Sequence, residues 1–312
     1  MAINLTNQQI NELYLKVSGA IDYKYNEIFD MANATNNLRD MTMAETTDQD
    51  KVDLPFMESV VGLSEGAKHN PIKIRTLLGG THEIPVKKWE DGFEVSKHDV
   101  KADRLGQIMA RAMDLGSGAA LLQRDLILES LRSGDTSSFL MYDGENLFAN
   151  AHPKGGTTFD NLQAGVLNAT NLQAMRVIMM RFPSDAGAAR PLNIMPNKLI
   201  VPPDLEKTAL EFVNNTYVPG GSGEADNFFK GIMEVIVAPE LTDVDDWYLV
   251  FSNANVKPYI HLSKEGFSPY SIDIEGDVAG TDAYKHEKLI FTGSTYENVY
   301  PTRPEFFLKV AN

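Results

Sequence analysis

Chemistry needs nucleophiles, titratable side chains or metal ligands at workable spacing, and this sequence offers few such sets. The six histidines are His69, His82, His98, His152, His261 and His286. No two stand four residues apart, the spacing that sets two ligands on one helix face, and His82-Glu83 lacks a second histidine. His152 with Asp160 nearby could orient a general base, yet no serine occupies a nucleophile-elbow sequence, so the reading is a loop histidine. Cysteine is absent, which removes disulfides, thiolate zinc sites and a cysteine nucleophile. A reducing compartment suits such a chain without being required by it.

Carboxylates and glycines are the remaining candidates. Asp273, Glu275, Asp277 and Asp282 could gather around calcium, but their spacing departs from the Asp-x-Asp/Asn-x-Asp/Asn-Gly loop, which favours a solvated acidic turn. Asp243, Asp245 and Asp246 receive the same reading. Gly116-Ser117-Gly118-Ala119-Ala120-Leu121 has the look of a dinucleotide loop, but it lies inside a helical pattern and not after a strand, so it reads as packing. Gly220-Gly221-Ser222-Gly223 lacks the Gly-Lys-Ser/Thr ending that cradles phosphate and reads as a flexible loop. The expectation is no catalytic, cofactor or metal site.

Composition narrows the classes further. The chain has 312 residues, 28 Lys+Arg against 43 Asp+Glu, a net charge of −15 and a pI near 4.8. That balance disfavours a phosphate-gripping DNA binder. Residues 204–287 hold sixteen acids and five bases, a net of −11, so an acidic unit adjoins a more balanced remainder. No apolar run approaches the ~18 residues of a membrane helix, and Met1-Ala2-Ile3-Asn4-Leu5 does not resemble a signal peptide.

The elements follow from periodicity. Thr6-Asn7-Gln8-Gln9 is a capping-box pattern, and Ile10, Leu13, Tyr14, Val17, Ile21, Tyr25 and Ile28 make one helical stripe. Asn33 to Lys51 is polar and aperiodic, an arm or linker. Glu83 to Trp89 and Gly92 to Lys97 read as strands, and Glu90-Asp91-Gly92 between them is a hairpin turn signal. With few large apolar residues, that hairpin is expected to project, offering Lys87, Lys88, Trp89, Phe93 and Lys97 to a neighbour. A helix of about 45 Å follows over Asp103 to Arg132. Gly106, Gly116 and Gly118 weaken it by up to ~1 kcal/mol each relative to Ala, so their presence predicts close approach of another backbone. A second capping box, Thr170-Asn171-Leu172-Gln173, opens a helix to about Phe182, and Pro183 to Ala189 is a candidate boundary. Beyond it come a strand at Leu199-Ile200-Val201, a helix from Pro202-Pro203-Asp204 to about Val213, and strands at Met233–Ala238 and Trp247–Phe251. No internal repeat is present.

This order of parts resembles the phage major capsid proteins of the Hong Kong 97 type, most closely the Mu-like major head subunits. The stretches carrying the resemblance are Val95 to Asp103, Asp143 to Pro153, Asn197 to Glu206, and Glu234–Leu241 with Trp247–Val250. What the resemblance implies is an α+β fold with a helical N-terminal arm (1–60), an extended β-hairpin loop (61–99), and a peripheral domain with a spine helix (100–185). An α/β axial domain (186–285) and C-terminal strands returning to the peripheral domain (286–312) complete it. It also implies a structural, non-enzymatic subunit that forms pentamers and hexamers of an icosahedral shell around double-stranded DNA. The implied partners are further copies of itself, a separate scaffold protein, a portal and a decoration protein. The implied location is the virion, with host cytoplasm during assembly. Some relatives cross-link Lys to Asn, and no motif here supports carrying that over. The competing reading from the residues is an oligomeric metal-dependent enzyme or ligand-binding protein with an acidic α/β domain.

Overall fold

The computed structural model describes residues 7–35, 38–57, 79–101, 105–185, 187–217, 226–252, 255–266, 271–275 and 288–312. Helix α1 spans Asn7–Thr35, and its stripe buries Leu13, Val17 and Ile21. Thr6 of the expected capping box lies outside the described residues. The polar stretch after α1 is not an unpaired linker. Leu38 and Met41 are buried around a 3₁₀ turn, and β1 (Thr42–Thr47) pairs in parallel with a strand more than 200 residues later. Pairing, not periodicity, makes that strand, which is why its sequence looks aperiodic.

The expected hairpin at Asp91-Gly92 is overturned. Strand β2 (Lys51–Met57) pairs antiparallel with β3 (Gly79–Pro85), whereas β4 (Lys87–Ser96) runs straight through Asp91-Gly92. Glycine is needed at 92 because a Cβ there would lie 2.7 Å from the Phe291 carbonyl oxygen. A strand glycine therefore marks close backbone approach here, not a turn. The ribbon that stands apart from the sheet ladders is β2–β3. After β4 come the short α2 (Lys97–Lys101) and the 28-residue α3 (Leu105–Arg132).

A hairpin of β5 (His152–Lys154) and β6 (Thr157–Phe159) precedes β7 (Leu162–Ala164). Helix α4 (Ala169–Met180) is capped by Asn168, whose side chain accepts the Asn171 amide, so the expected Thr170 cap is displaced by two residues. Strands β8 (Pro183–Ser184) and β9 (Gly187–Pro191) pair across the expected boundary. Then follow β10 (Lys198–Val201), α5 (Glu206–Asn214), β11 (Glu234–Val237), β12 (Trp247–Val250), β13 (Tyr259–Lys264), β14 (Ser271–Glu275), β15 (Lys288–Pro301) and β16 (Phe307–Ala311).

Two five-stranded sheets organise the chain. In the first, β15 is central, with β4 on one side and β13 and β14 on the other, and β1 lies outside β13. Alternate residues of β15 are buried: Leu289 and Phe291 face α1 and α3, and Phe93 of β4 stacks on Phe291 with centroids 5.2 Å apart. The second sheet runs β11-β10-β12-β16-β7, and all four residues of β10 and of β12 are buried. That pattern is expected of a strand covered on both faces. The C-terminal segment therefore divides: β15 completes the first sheet, but β16 joins the second and does not return to the first.

Candidate functional site

Helix α3 is the element that ties the sheets together. Its first half contributes Ile108 and Ala112 to the core shared with α1, β4 and β15, while Ile127, Leu128 and Leu131 enter the larger core under the second sheet. Gly116 lies where α1 crosses. A Cβ there would sit 2.6 Å from the Ile21 carbonyl oxygen, whereas one at Gly106 or Gly118 would meet nothing within 4 Å.

Three polar links hold the helix within about one turn, between residues 120 and 124. The Arg39 guanidinium donates to the Ala120 carbonyl (3.2 Å) and lies over the Phe29 ring. Gln123 donates to the Thr42 hydroxyl (3.1 Å). Arg124 clamps the Glu240 carboxylate with both forks, at 2.8 and 2.9 Å, a geometry that adds direction to charge. That hydrogen bond is the main reason the Glu240 carboxyl is held below its usual range, while burial and then Glu240's charge push neighbouring Asp125 up.

A second knot anchors the segment after α1 to the second sheet. Lys198, 2% exposed, lies 2.7 Å from Glu234 and 3.2 Å from Asp40, and Lys257 reaches Asp40 at 3.5 Å. Burial alone would raise the Asp40 carboxyl, but the hydrogen bond and charge of Lys198, then those of Lys257, outweigh it and hold the value low. A depressed carboxyl contributes stability that is complete above the unfolded value of ~3.9 and is lost as pH falls through the folded value. Asp40→Asn is therefore expected to flatten the first part of an acid-unfolding curve followed by circular dichroism. Its cost at neutral pH should be about 1 kcal/mol or less, because Asp40 is well exposed. An unchanged acid profile would remove this role.

The residues expected on a projecting hairpin are instead split between sheet and surface. Phe93 and Trp89 are half-buried, and Trp89 donates its indole N–H to the Glu297 carbonyl (3.0 Å). Lys97 is buried at the start of α2. Lys87 and Lys88 are exposed, with Lys88 paired to Glu90. A groove of about 420 Å³ lies between β4 and α3, lined by Trp89, Asp91, Phe93, Arg111, Asp114 and Leu122. Gly118 also borders it.

Candidate chemical sites resolve into structural contacts. His152 is fully buried, with Nδ1 2.7 Å from Asp143 and Nε2 3.2 Å from Asn161, and Asp160 instead accepts the Leu162 amide. Asp243 accepts the Asp245 amide, and Asp246 bonds Lys309 at 3.0 Å. Asp273 is exposed on β14, while Asp277, Asp282 and Gly220 to Gly223 lie outside the described residues. Among the described residues no three His, Asp or Glu side chains gather to hold a metal, and no helix is long and apolar enough to cross a membrane. The buried cations Lys198 and Lys309 were invisible to pattern reading, because each stands in a strand whose apolar neighbours conceal it, and Lys154, between Pro153 and Gly155, carries no local mark of burial.

A profile described as phage capsid protein matches residues 80–309, well over half of the chain. The chain belongs to the phage capsid protein family. The Mu-like prophage FluMu major head subunit of Haemophilus influenzae is 29% identical over 90 residues, a match spanning 29% of each chain. The capsid of bacteriophage JBD30 superposes with a TM-score of 0.55 at 13% identity, covering 89% of this chain and 65% of that one. The capsid of Ralstonia phage GP4 gives 0.57 at 12% identity, covering 86% of each. At such identities the likeness concerns fold, and the fold is the Hong Kong 97-type capsid fold, α+β as expected. The capsid-family match extends across β4, α3 and most of both sheets, so the Arg124–Glu240 clamp lies within it, while Arg39, Thr42 and β1 lie before it.

Proposed function

We propose that this chain is the major head subunit of a tailed phage or prophage, a non-enzymatic protein that assembles with copies of itself into pentamers and hexamers of a closed shell. The observation that carries the reading is the capsid-family match over residues 80–309 on a capsid fold. In this reading α3 and the sheet around β15 form the peripheral domain, and the sheet around β10 and β12 forms the axial domain. The β2–β3 ribbon, rather than β4, is the arm laid on a neighbour, and α1 is the N-terminal arm. Scaffold, portal and decoration proteins are the partners this role calls for, with virion and host cytoplasm as its locations. Concentrated purified protein viewed in negative stain should show closed or partial shells. A discrete oligomer stabilised by divalent metal would overturn the reading in favour of a metal-dependent enzyme or binding protein.

Enclosed double-stranded DNA is expected to be contained and not gripped. On α1 and α3 the bases Lys16, Lys24, Arg111 and Arg124 alternate with Glu12, Asp22, Glu27, Asp114 and Asp125, so neither helix offers a basic stripe. Lys24 and Arg124 are already paired, to Glu27 and Glu240. Gel-shift titration should find negligible duplex binding at physiological salt. Tight binding that weakens by ~10³-fold or more between about 50 and 200 mM salt would contradict the container role.

A further inference from the structure

The β2–β3 ribbon meets the body through one face only. Residues 52, 54, 82 and 84 alternate inward, so that Val52 opposes Ile84 and Leu54 opposes His82, while Lys51, Asp53 and Glu83 face outward. Ile84 is buried in a small cluster with Ile260 and Leu262 of β13 and Tyr300 of β15, against which Val52 and Leu54 also pack. Within the described part of this inward face, His82 is the one ionisable side chain. Its ring lies 5.3 Å from the Tyr300 ring. Beside it is a cavity of about 10 Å³ lined by Leu54, Met141, Tyr142 and Pro301, at the lower limit for a single water.

We propose that His82 is an acid-sensitive latch: neutral, it seats the ribbon on the sheet, and protonated, it lifts the ribbon away. An imidazolium needs water or an anion at both N–H groups. The apolar side chains and phenols around this half-buried ring leave room for little water and set no carboxylate against it among the described residues. The groups facing the ring are two phenols, Tyr300 from β15 and Tyr142 from the 141–142 turn, while β13 contributes only Ile260 and Leu262. Burial pushes Tyr300 up to about 12 and raises Tyr142 as well, so both stay neutral while histidine titrates. Of the ion pairs around the seat, Lys51–Glu83 lies on the ribbon's outward face, Lys154–Glu305 beyond the Tyr142 hydroxyl, and Lys264–Asp50 at the ribbon's base. Burial also holds His82 below its ordinary value. The sign follows: attachment is strongest above the unfolded histidine value of ~6.5 and weakens as pH falls through it toward the lower folded value. If the capsid reading holds, a subunit's grip on its neighbour acquires the same acid sensitivity. The latch itself is a property of the single chain.

Hydrogen exchange of the β2 and β3 strands tests the latch without any shell. Protection is compared at about pH 7.5 and about pH 5, either side of the ordinary histidine value, with intrinsic rates corrected and α3 as internal reference. The expected result is a loss of at least about three-fold in ribbon protection at acid pH, each unit of depression being worth about ten-fold in the opening equilibrium. His82→Phe, which keeps the ring on Tyr300, and His82→Gln, which keeps a neutral polar group, should both abolish the acid-specific loss. Equal wild-type protection at the two pH values, or the same acid loss in both variants, overturns the proposal. Failure to form shells would leave this result unaffected and would count against the capsid reading alone.

Discussion

Gly116→Leu is expected to force α1 off α3 and to remove much of the subunit's stability. The obstacle is backbone: any Cβ at 116 meets the Ile21 carbonyl oxygen at 2.6 Å and the Ile21 carbonyl carbon and Cα at 3.3 Å. A flexible side chain could swing aside, but a helix carbonyl can retreat only if the whole helix moves. Overfilling of this kind typically costs ~1–3 kcal/mol, and the core of Leu13, Val17, Ile21, Ile108 and Ala112 would open with it. Gly118→Ala supplies the contrast. With nothing within 4 Å, it should stabilise the helix by up to ~1 kcal/mol through propensity alone. Urea titration of the two variants decides the matter, and a Gly116→Leu protein as stable as its parent would remove the close-approach argument.

The second large effect is expected at Glu305, which is 1% exposed and pairs with the nearly buried Lys154. Asp185 lies 3.5 Å from the same ammonium, and the Tyr142 hydroxyl is 3.4 Å from both Lys154 and Glu305. Glu305→Ala leaves a buried cation with only the more distant carboxylate, and breaking such a pair generally costs ~3–5 kcal/mol. Replacing both partners at once, as Lys154→Met with Glu305→Leu, should recover much of the loss, since an apolar pair of similar volume avoids the desolvation penalty. The coupling is read from denaturation midpoints of the two single variants and the double. A double variant no better than Glu305→Ala would show that the pair is not what holds the β5 hairpin against the turn before β16.

How much of this was legible before the structure depends on how local the cause was. The stripe of α1, the length of α3 and the apolar runs of β10 and β12 are written in adjacent residues, and they appeared where the periodicity put them. Asp91-Gly92 misled because two physical causes leave the same letters: a hairpin turn and a strand glycine under close approach both call for Gly. Deciding between them required Phe291, two hundred residues away, whose carbonyl occupies the missing Cβ space. Similarly, three glycines in α3 carried one signal, yet only Gly116 faces another backbone. The Arg124–Glu240 clamp and the Asp40–Lys198 knot join distant segments through ordinary charged residues, so their types and spacing carried no hint. The family resemblance reached the right fold through local text, while the placement of the arm depended on pairing that local text does not encode.

The position of β15 and β16 in the two sheets bears on how the subunit is made. Each sheet lacks an interior strand until residues 288–311 are available: β15 lies between β4 and β13–β14, and β16 between β12 and β7. During synthesis those strands leave the ribosome after everything they pair with, so neither sheet can close until they emerge. Closure then rests on long-range pairings, the slow kind. A chain stopped before residue 288 would lack both interior strands and could close neither sheet.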